Sequence, residues 1–277
     1  MNTTNEQSPS NEPSRSILNG ADEIINDWLW PGYSTQKACN LLAGNFPERL
    51  NGWLLMSQLY AQIERNWRIR CYDESPSVEN WRWERQTIMD EKKNTSPEKQ
   101  IEKRIVSIPI EGWVNQVPVA SGLTGAHVMK RACIDLAHSL GNLNYDFIEL
   151  KYDDKHPLYA AMEIIQYGIL YLFAREHLLE NYKDKPLLEA TSIGLRVLAP
   201  QTYYEHKNHG PYKFEKLEVI LSNGIAHLAS SFKMRLEMNF QFMVFPIDFY
   251  WRCKDEQLCD ALKGVKPLYE RRVGQSM

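Results

Sequence analysis

The chain has 277 residues, and its 32 Lys+Arg against 35 Asp+Glu give a formal net charge of −3. A hydrophobic fraction of 43% with 24% charged residues describes a globular protein able to bury its own core. It excludes wholesale disorder, a collagen-like chain and an integral membrane protein, and the weak acidity argues against a strongly basic coat for nucleic acid. A local basic patch remains compatible with that total. The five cysteines (Cys39, Cys71, Cys133, Cys253, Cys259) are widely spaced and form no CxxC pair. That pattern fits neither a zinc ribbon nor a disulfide framework and points to a reducing compartment. The N-terminus lacks the apolar region of a signal peptide, so a cytoplasmic protein with no membrane partner is expected.

Residues 1–20 read as a disordered polar tail. Residues 21–85 read as a helical, Trp-rich region holding six of the eight tryptophans: Trp28, Trp30, Trp53, Trp67, Trp81 and Trp83. Trp53 to Arg70 has apolar residues at helical spacing. Its aromatics beside arginines could stack on bases or pack against a neighbouring layer, and the region could serve a homodimer or a partner protein. The polar stretch 89–100 leads into residues 86–277, the larger domain. Ser96-Pro97-Glu98 is a helix start, with Ser96 as cap, Pro97 at the first helical position and Glu98 at the positive end of the dipole. Ile101, Ile105 and Ile108 supply its apolar stripe. Strands are expected beyond Gly122 and Gly125.

The segment from Lys130 to Phe173 carries the chemistry. Arg131 to Leu140 alternates, with Ile134 and Leu136 on one face and Cys133, Asp135, Ala137 and Ser139 on the other. Gly141-Asn142-Leu143 is a turn signal, and Tyr145 to Lys151 forms the second strand. A three-residue turn sets Asp135 opposite Glu149, where β-carbons lie about 4.5–5.5 Å apart; a two-residue turn would slip the pairing by one. Two carboxylates so close repel each other unless a cation lies between them. Carboxylate oxygens are hard ligands suited to Mg²⁺, which takes one or two of them plus waters and phosphate oxygens. Lys151, two residues beyond Glu149, shares its face and can reach a water or a phosphate. Asp146 lies on the opposite face. The other reading of the trio is a solvated strand surface.

Here the sequence resembles a family. Ile134-Asp135-Leu136, then Glu149-Leu150-Lys151, resembles the PD-(D/E)xK nuclease superfamily, although Ile134 stands where the eponymous proline would be. The resemblance covers roughly residues 86–250. It implies a restriction-endonuclease-like α/β fold (α-β-β-β-α-β, a mixed central sheet flanked by helices), here with an N-terminal helical extension. It implies that Asp135, Glu149 and the Leu150 carbonyl bind Mg²⁺ (or Mn²⁺ in its place) and that Lys151 orients or activates the attacking water. Glutamates on the first helix of such proteins bind a second metal or orient a ligand, which singles out Glu102 and, beside it, Glu98. Ion pairing with Lys99 or Lys103 is the other reading of Glu102. Some members carry a Gln and a Tyr four apart on the helix after the second strand; Glu163 and Tyr167 have that spacing, and Gln166 lies beside them. Tyr167 could equally be a core residue. A DNA-cleaving enzyme is therefore expected, RNA being a further possible substrate; the alternative is a lapsed site on an interaction or regulatory subunit.

The remainder completes the sheet: an apolar helix from Pro157 to His177, a strand across 192–205, a helix across 216–232 and a strand across 239–249, with Pro246 marking an edge or strand end. His206 and His209 lack a third ligand for zinc. Charge divides along the chain. Residues 92–131 hold seven basic residues (Lys92, Lys93, Lys99, Lys103, Arg104, Lys130, Arg131) against three acidic, and 132–163 hold six acidic against two lysines. A basic approach beside an acidic hairpin suits metal-assisted cleavage of a polyanion.

Overall fold

The computed structural model describes residues 16–29, 50–70, 75–87, 96–124, 132–152, 156–205 and 214–269. Its helices are α1 (Ala21–Trp28), α2 (Gly52–Arg68), α3 (Pro97–Ser107), α4 (Pro157–His177), the single turn α5 (Gln201–Tyr204), α6 (Glu215–Ser230) and α7 (Asp255–Lys263). Its strands are β1 (Trp113–Pro118), β2 (Cys133–Gly141), β3 (Asn144–Leu150), β4 (Ser192–Ala199), β5 (Glu237–Val244) and the short β6 (Lys266–Pro267). They form one mixed sheet in sequence order, antiparallel from β1 through β3, parallel from β3 through β5, and antiparallel again at β6. The protein is thus α/β, a six-stranded mixed sheet flanked by helices.

Both faces of the sheet are covered, the face that carries Asp135 and Glu149 included. Leu136, Ile148 and Leu150 pack against α3 and α7 through Ile101, Ile105 and Leu258. Ala137 and Phe147, on the other face, are fully buried with Leu195 and Val197 beneath α4 and α6. Helix α4 alone among the described residues has the length and composition of a membrane span, and 89% of its most apolar window is buried inside the protein. Outside it lies α2, which crosses α6 and α4 and shares their hydrophobic cluster with Ile17, Ile25 and Trp81.

Local chemistry sets the elements. Ser96 accepts a hydrogen bond from the Lys99 amide and Pro97 opens α3, as the sequence predicts. β1 comes before the two glycines rather than after them. Its polar pair Asn115-Gln116 hides the strand pattern, and Gln116 has a left-handed φ of 50° that breaks the alternation. The strand expected across 192–205 stops at Ala199 because Pro200 follows; the last strand stops at Val244, before Pro246.

The hairpin register agrees with the expectation by a different route. Leu136 faces Ile148 and Ala137 faces Phe147, which carries Asp135 toward Glu149. The turn is the two-residue one, Asn142-Leu143, closed by the Gly141–Asn144 pair, and an irregularity between Ser139 and Gly141 restores the pairing. Gly141, Asn142 and Leu143 all have positive φ, the requirement of a tight hairpin turn that matches strand twist.

The tryptophans of the N-terminal region pack. Trp53 stacks on His227 at 4.2 Å, Trp67 meets Phe173 edge-on, and Trp81 lies against Phe147 and Tyr171. Trp30, Cys39, Cys71 and residues 1–15 of the expected tail lie outside the described residues; residues 16–20 of it are held on the core, where Ile17 is fully buried and its carbonyl accepts from Asn66 Nδ2. Cys133, Cys253 and Cys259 are free thiols.

Candidate active site

A cleft of about 280 Å³ opens where β2 begins and β3 ends, between the N-terminus of α3 and the second and third turns of α4. Asp135 from β2, Glu149 and Leu150 from β3 and Lys151 just beyond it line its floor, with Glu98 and Lys99 from α3 and Glu163 and Tyr167 from α4 as walls. The alternation of β2 and β3 puts Asp135 and Glu149 on the α4 side of the sheet. The 3.6-residue repeat of α4 stacks Glu163 below Tyr167, whose hydroxyl donates to Glu163 Oε1 at 3.4 Å.

The polar groups are interlocked. Asp135 Oδ2 accepts from the Leu150 amide at 3.1 Å, fixing its carboxylate over the strand end. Lys151 Nζ pairs closely with Glu149 Oε1 and lies 3.5 Å from Glu163 Oε2. Glu98 Oε1 accepts from the Tyr152 amide at 3.1 Å, tying α3 to the end of β3. Glu102 does not line the cleft. It is 1% exposed and turned to Lys99, Asn115 and Gln116; it pairs with Lys99, but as a buried group and not as a solvated one. Gln166 also stays out, its amide spent on the Met162 carbonyl of its own helix.

Charge explains the tension here. Four carboxylates line the cleft (Glu98, Asp135, Glu149, Glu163) against two ammonium groups (Lys99, Lys151). Glu149 is 3% exposed, and burial first, then the neighbouring Asp135 charge, pushes its carboxyl well above the ordinary range. Burial alone would strip the proton from Lys151, but the surrounding Glu149, Asp135 and Glu163 hold it on Nζ. Burial raises Tyr167 too, with Glu163 adding to it, so its hydroxyl stays a donor.

Hard oxygen donors in excess of local positive charge fit a divalent cation of the Mg²⁺ kind. Asp135, Glu149 and the carbonyl of Leu150 are the groups able to hold it; a cation beside them would let Glu149 ionise. Among the described residues, no group of three or more His, Cys, Asp or Glu side chains is gathered as a complete metal cage. The fit therefore rests on two carboxylates with a backbone carbonyl, water and substrate oxygens completing the shell.

Other candidates fall elsewhere. Asp146 pairs with Arg196 at 3.0 Å on the far face of the sheet, where His138 stacks on Trp113. Of the basic residues expected to form an approach, Lys103 is buried and bonds the Gln86 carbonyl, and Arg104 grips the Trp251 and Cys253 carbonyls and Asp255. Lys99 alone among those described enters the cleft; Lys92, Lys93, Lys130, Arg131, Asp153, Asp154, His206 and His209 lie outside the described residues. One lining residue escapes the sequence reading, Gln116. The polar Asn115-Gln116 pair inside an otherwise apolar strand is its only signal.

No protein-family model, curated protein or solved structure matches this chain.

Proposed function

We propose that this chain is a metal-dependent nuclease of the PD-(D/E)xK kind, hydrolysing phosphodiester bonds of DNA. One observation carries the reading: Asp135, Glu149, Leu150 and Lys151, chosen for their spacing, line a single cleft together with Glu98, Glu163 and Tyr167. The element order α3-β1-β2-β3-α4-β4, with β4 parallel to β3, supports a restriction-endonuclease-like core.

Mg²⁺ bound there would neutralise charge on the scissile phosphate and lower the pKa of a bound water. The rest is the chain's own work. The Leu150 amide restrains Asp135 and Lys151 restrains Glu149 in the floor of the cleft. Lys151 carries its proton on Nζ, so it donates, orienting the attacking water or steadying charge that develops on a phosphoryl oxygen. Tyr167 buttresses Glu163, which in turn faces Lys151.

Plasmid, linear and single-stranded DNA, with single-stranded RNA as a competitor, incubated with Mg²⁺ or Mn²⁺, test the reading. We expect cleavage by the wild type and a loss of roughly 10²–10³-fold in Lys151→Ala, the scale of removing one preorganised donor. Wild type and Lys151→Ala equally inert on every substrate would exclude catalysis and leave the interaction-subunit alternative.

A further inference from the structure

Lys99 lines the cleft and has no part in the chemistry above. Its Nζ bridges two carboxylates, Glu102 Oε2 at 2.8 Å and Asp135 Oδ1 at 3.3 Å. Glu102 is fixed from its other sides by Asn115 Nδ2 at 2.7 Å and Gln116 Nε2 at 2.9 Å. Gln116 reaches it from the left-handed backbone that interrupts β1, a conformation that a non-glycine residue keeps only where its surroundings impose it. Asn115 is itself held by the backbone of Gln86 on both its amide atoms. The Lys99–Glu102 pair is therefore a built feature, not a surface ion pair that wanders.

Asp135 is divided between two surroundings. Oδ2 faces the Leu150 amide, toward Glu149; Oδ1 faces Lys99. A carboxylate with one oxygen on each side has the disposition of a ligand shared between two cations, which in two-metal phosphodiesterases stand about 3.5–4 Å apart. On one side of Asp135 the candidate ligands are the Leu150 carbonyl and the Glu149 carboxylate, whose Oε1 pairs with Lys151. On the other side an ammonium already fills the position, contacting both carboxylates that a second ion would need.

We propose that Lys99 is a resident cation standing where a second divalent ion would otherwise bind, so that the cleft takes one divalent ion and not two. Lys99 is in this sense a positioning residue: it aims Asp135 at the single ion held with Glu149 and Leu150, and its like charge repels another. The proposal rests on the metal-dependent reading and makes it specific, since charge on the leaving side must then be met by side chains and water. Lys99, on a side chain 37% exposed, lines the same cleft as Asp135, Glu149 and Lys151.

Counting ions on the full chain tests this without relying on turnover. Mn²⁺ is titrated by calorimetry and its spectrum recorded by electron paramagnetic resonance. We expect one Mn²⁺ per chain in the wild type with the signal of an isolated ion, and one in Lys99→Arg, which keeps the charge. Lys99→Met removes the ammonium at similar length and should bind two, with the broadened signal of a spin-coupled pair. Two ions in the wild type overturn the proposal and leave the metal-dependent reading intact; no ion in the wild type overturns both. A single ion in Lys99→Met with an unchanged far-ultraviolet dichroism spectrum also overturns it. Should Lys99→Met not fold, Lys99→Gln, which is neutral yet still donates to Glu102, is counted in its place under the same criterion.

Discussion

Glu149 is a carboxyl that the fold handicaps. Burial, with the Asp135 charge added, holds its proton on above the ordinary glutamate value of about 4.3. The folded state therefore binds a proton over a range where the unfolded chain has released one. Its contribution favours the fold at low pH and is lost as pH rises from that ordinary value through the raised one. Buried Glu102 and Asp146 are displaced the same way, while Lys151 stays protonated throughout and adds no slope. We expect the melting temperature of the metal-free protein to fall between about pH 5 and pH 8, counter to the usual acid lability of paired carboxylates. Glu149→Gln should reduce that slope to the share of Glu102 and Asp146, and Mg²⁺ should raise the wild-type melting temperature more at the upper pH while leaving the variant unmoved. Melting curves at several pH values with and without Mg²⁺ decide it; a slope undiminished in Glu149→Gln would refute the assignment. Asp135, Glu149 and Lys151 are legible in the sequence because strand alternation alone puts them on one face. Gln116 and the contact of Lys99 with Asp135 are not, since they depend on a single backbone torsion and on how α3 docks against β1.

Helix boundaries and the hairpin register are largely written in local chemistry. Ser96-Pro97 opens α3 and is read from the sequence; Pro200 closes β4 as early as Ala199, a local stop that the expected strand to residue 205 ran past. The turn is harder. Leu143 at φ 59° sits where Asn-Gly is preferred, so nothing in Gly-Asn-Leu distinguishes a two-residue turn with a bulge from a three-residue loop. The crossing of α2 over α6 is invisible for a different reason: it is made by backbone. A β-carbon on Gly224 would lie 2.6 Å from the Gly52 carbonyl carbon, and one on Gly52 would lie 2.2 Å from the Ile220 carbonyl oxygen. Helix propensity favours Ala over Gly by roughly 1 kcal/mol in a helix interior. At this crossing close packing wins, and we expect Gly224→Ala to destabilise by about 1–3 kcal/mol, the range for an overpacked core. Urea denaturation measures it; a gain in stability would mean the helices separate freely and the crossing carries little.

At the scale of the whole molecule, the chain before α3 is woven into the core that supports the cleft. Trp81 is fully buried, donates its amide to the Pro118 carbonyl at the end of β1, and rests its ring on Phe147 and Tyr171. Phe147 lies two residues before Glu149 on the same face of β3, so a residue of the Trp-rich region props the strand that ends in the candidate site. The sequence shows the helices and tryptophans of this region, but not this contact. Trp81 and Phe147 are far apart in the chain, and an apolar stripe says that a face is buried without saying against what. The hydrophobic cluster runs unbroken from Ile17 through Trp81 and α4 to Val244, which joins the Trp-rich region to the α4 face of the sheet. We expect tryptophan fluorescence, weighted toward this region, and far-ultraviolet dichroism, weighted toward the whole, to report superimposable unfolding transitions. Trp81→Ala should shift both together by about 3–5 kcal/mol, the loss typical of truncating a buried Trp. Because Phe147 would lose its support, Mn²⁺ affinity should weaken in the same variant under conditions where it remains folded. A fluorescence transition that precedes the dichroism transition in the wild type would show that the segment unfolds independently, and its coupling to the strand that carries Glu149 would then fail.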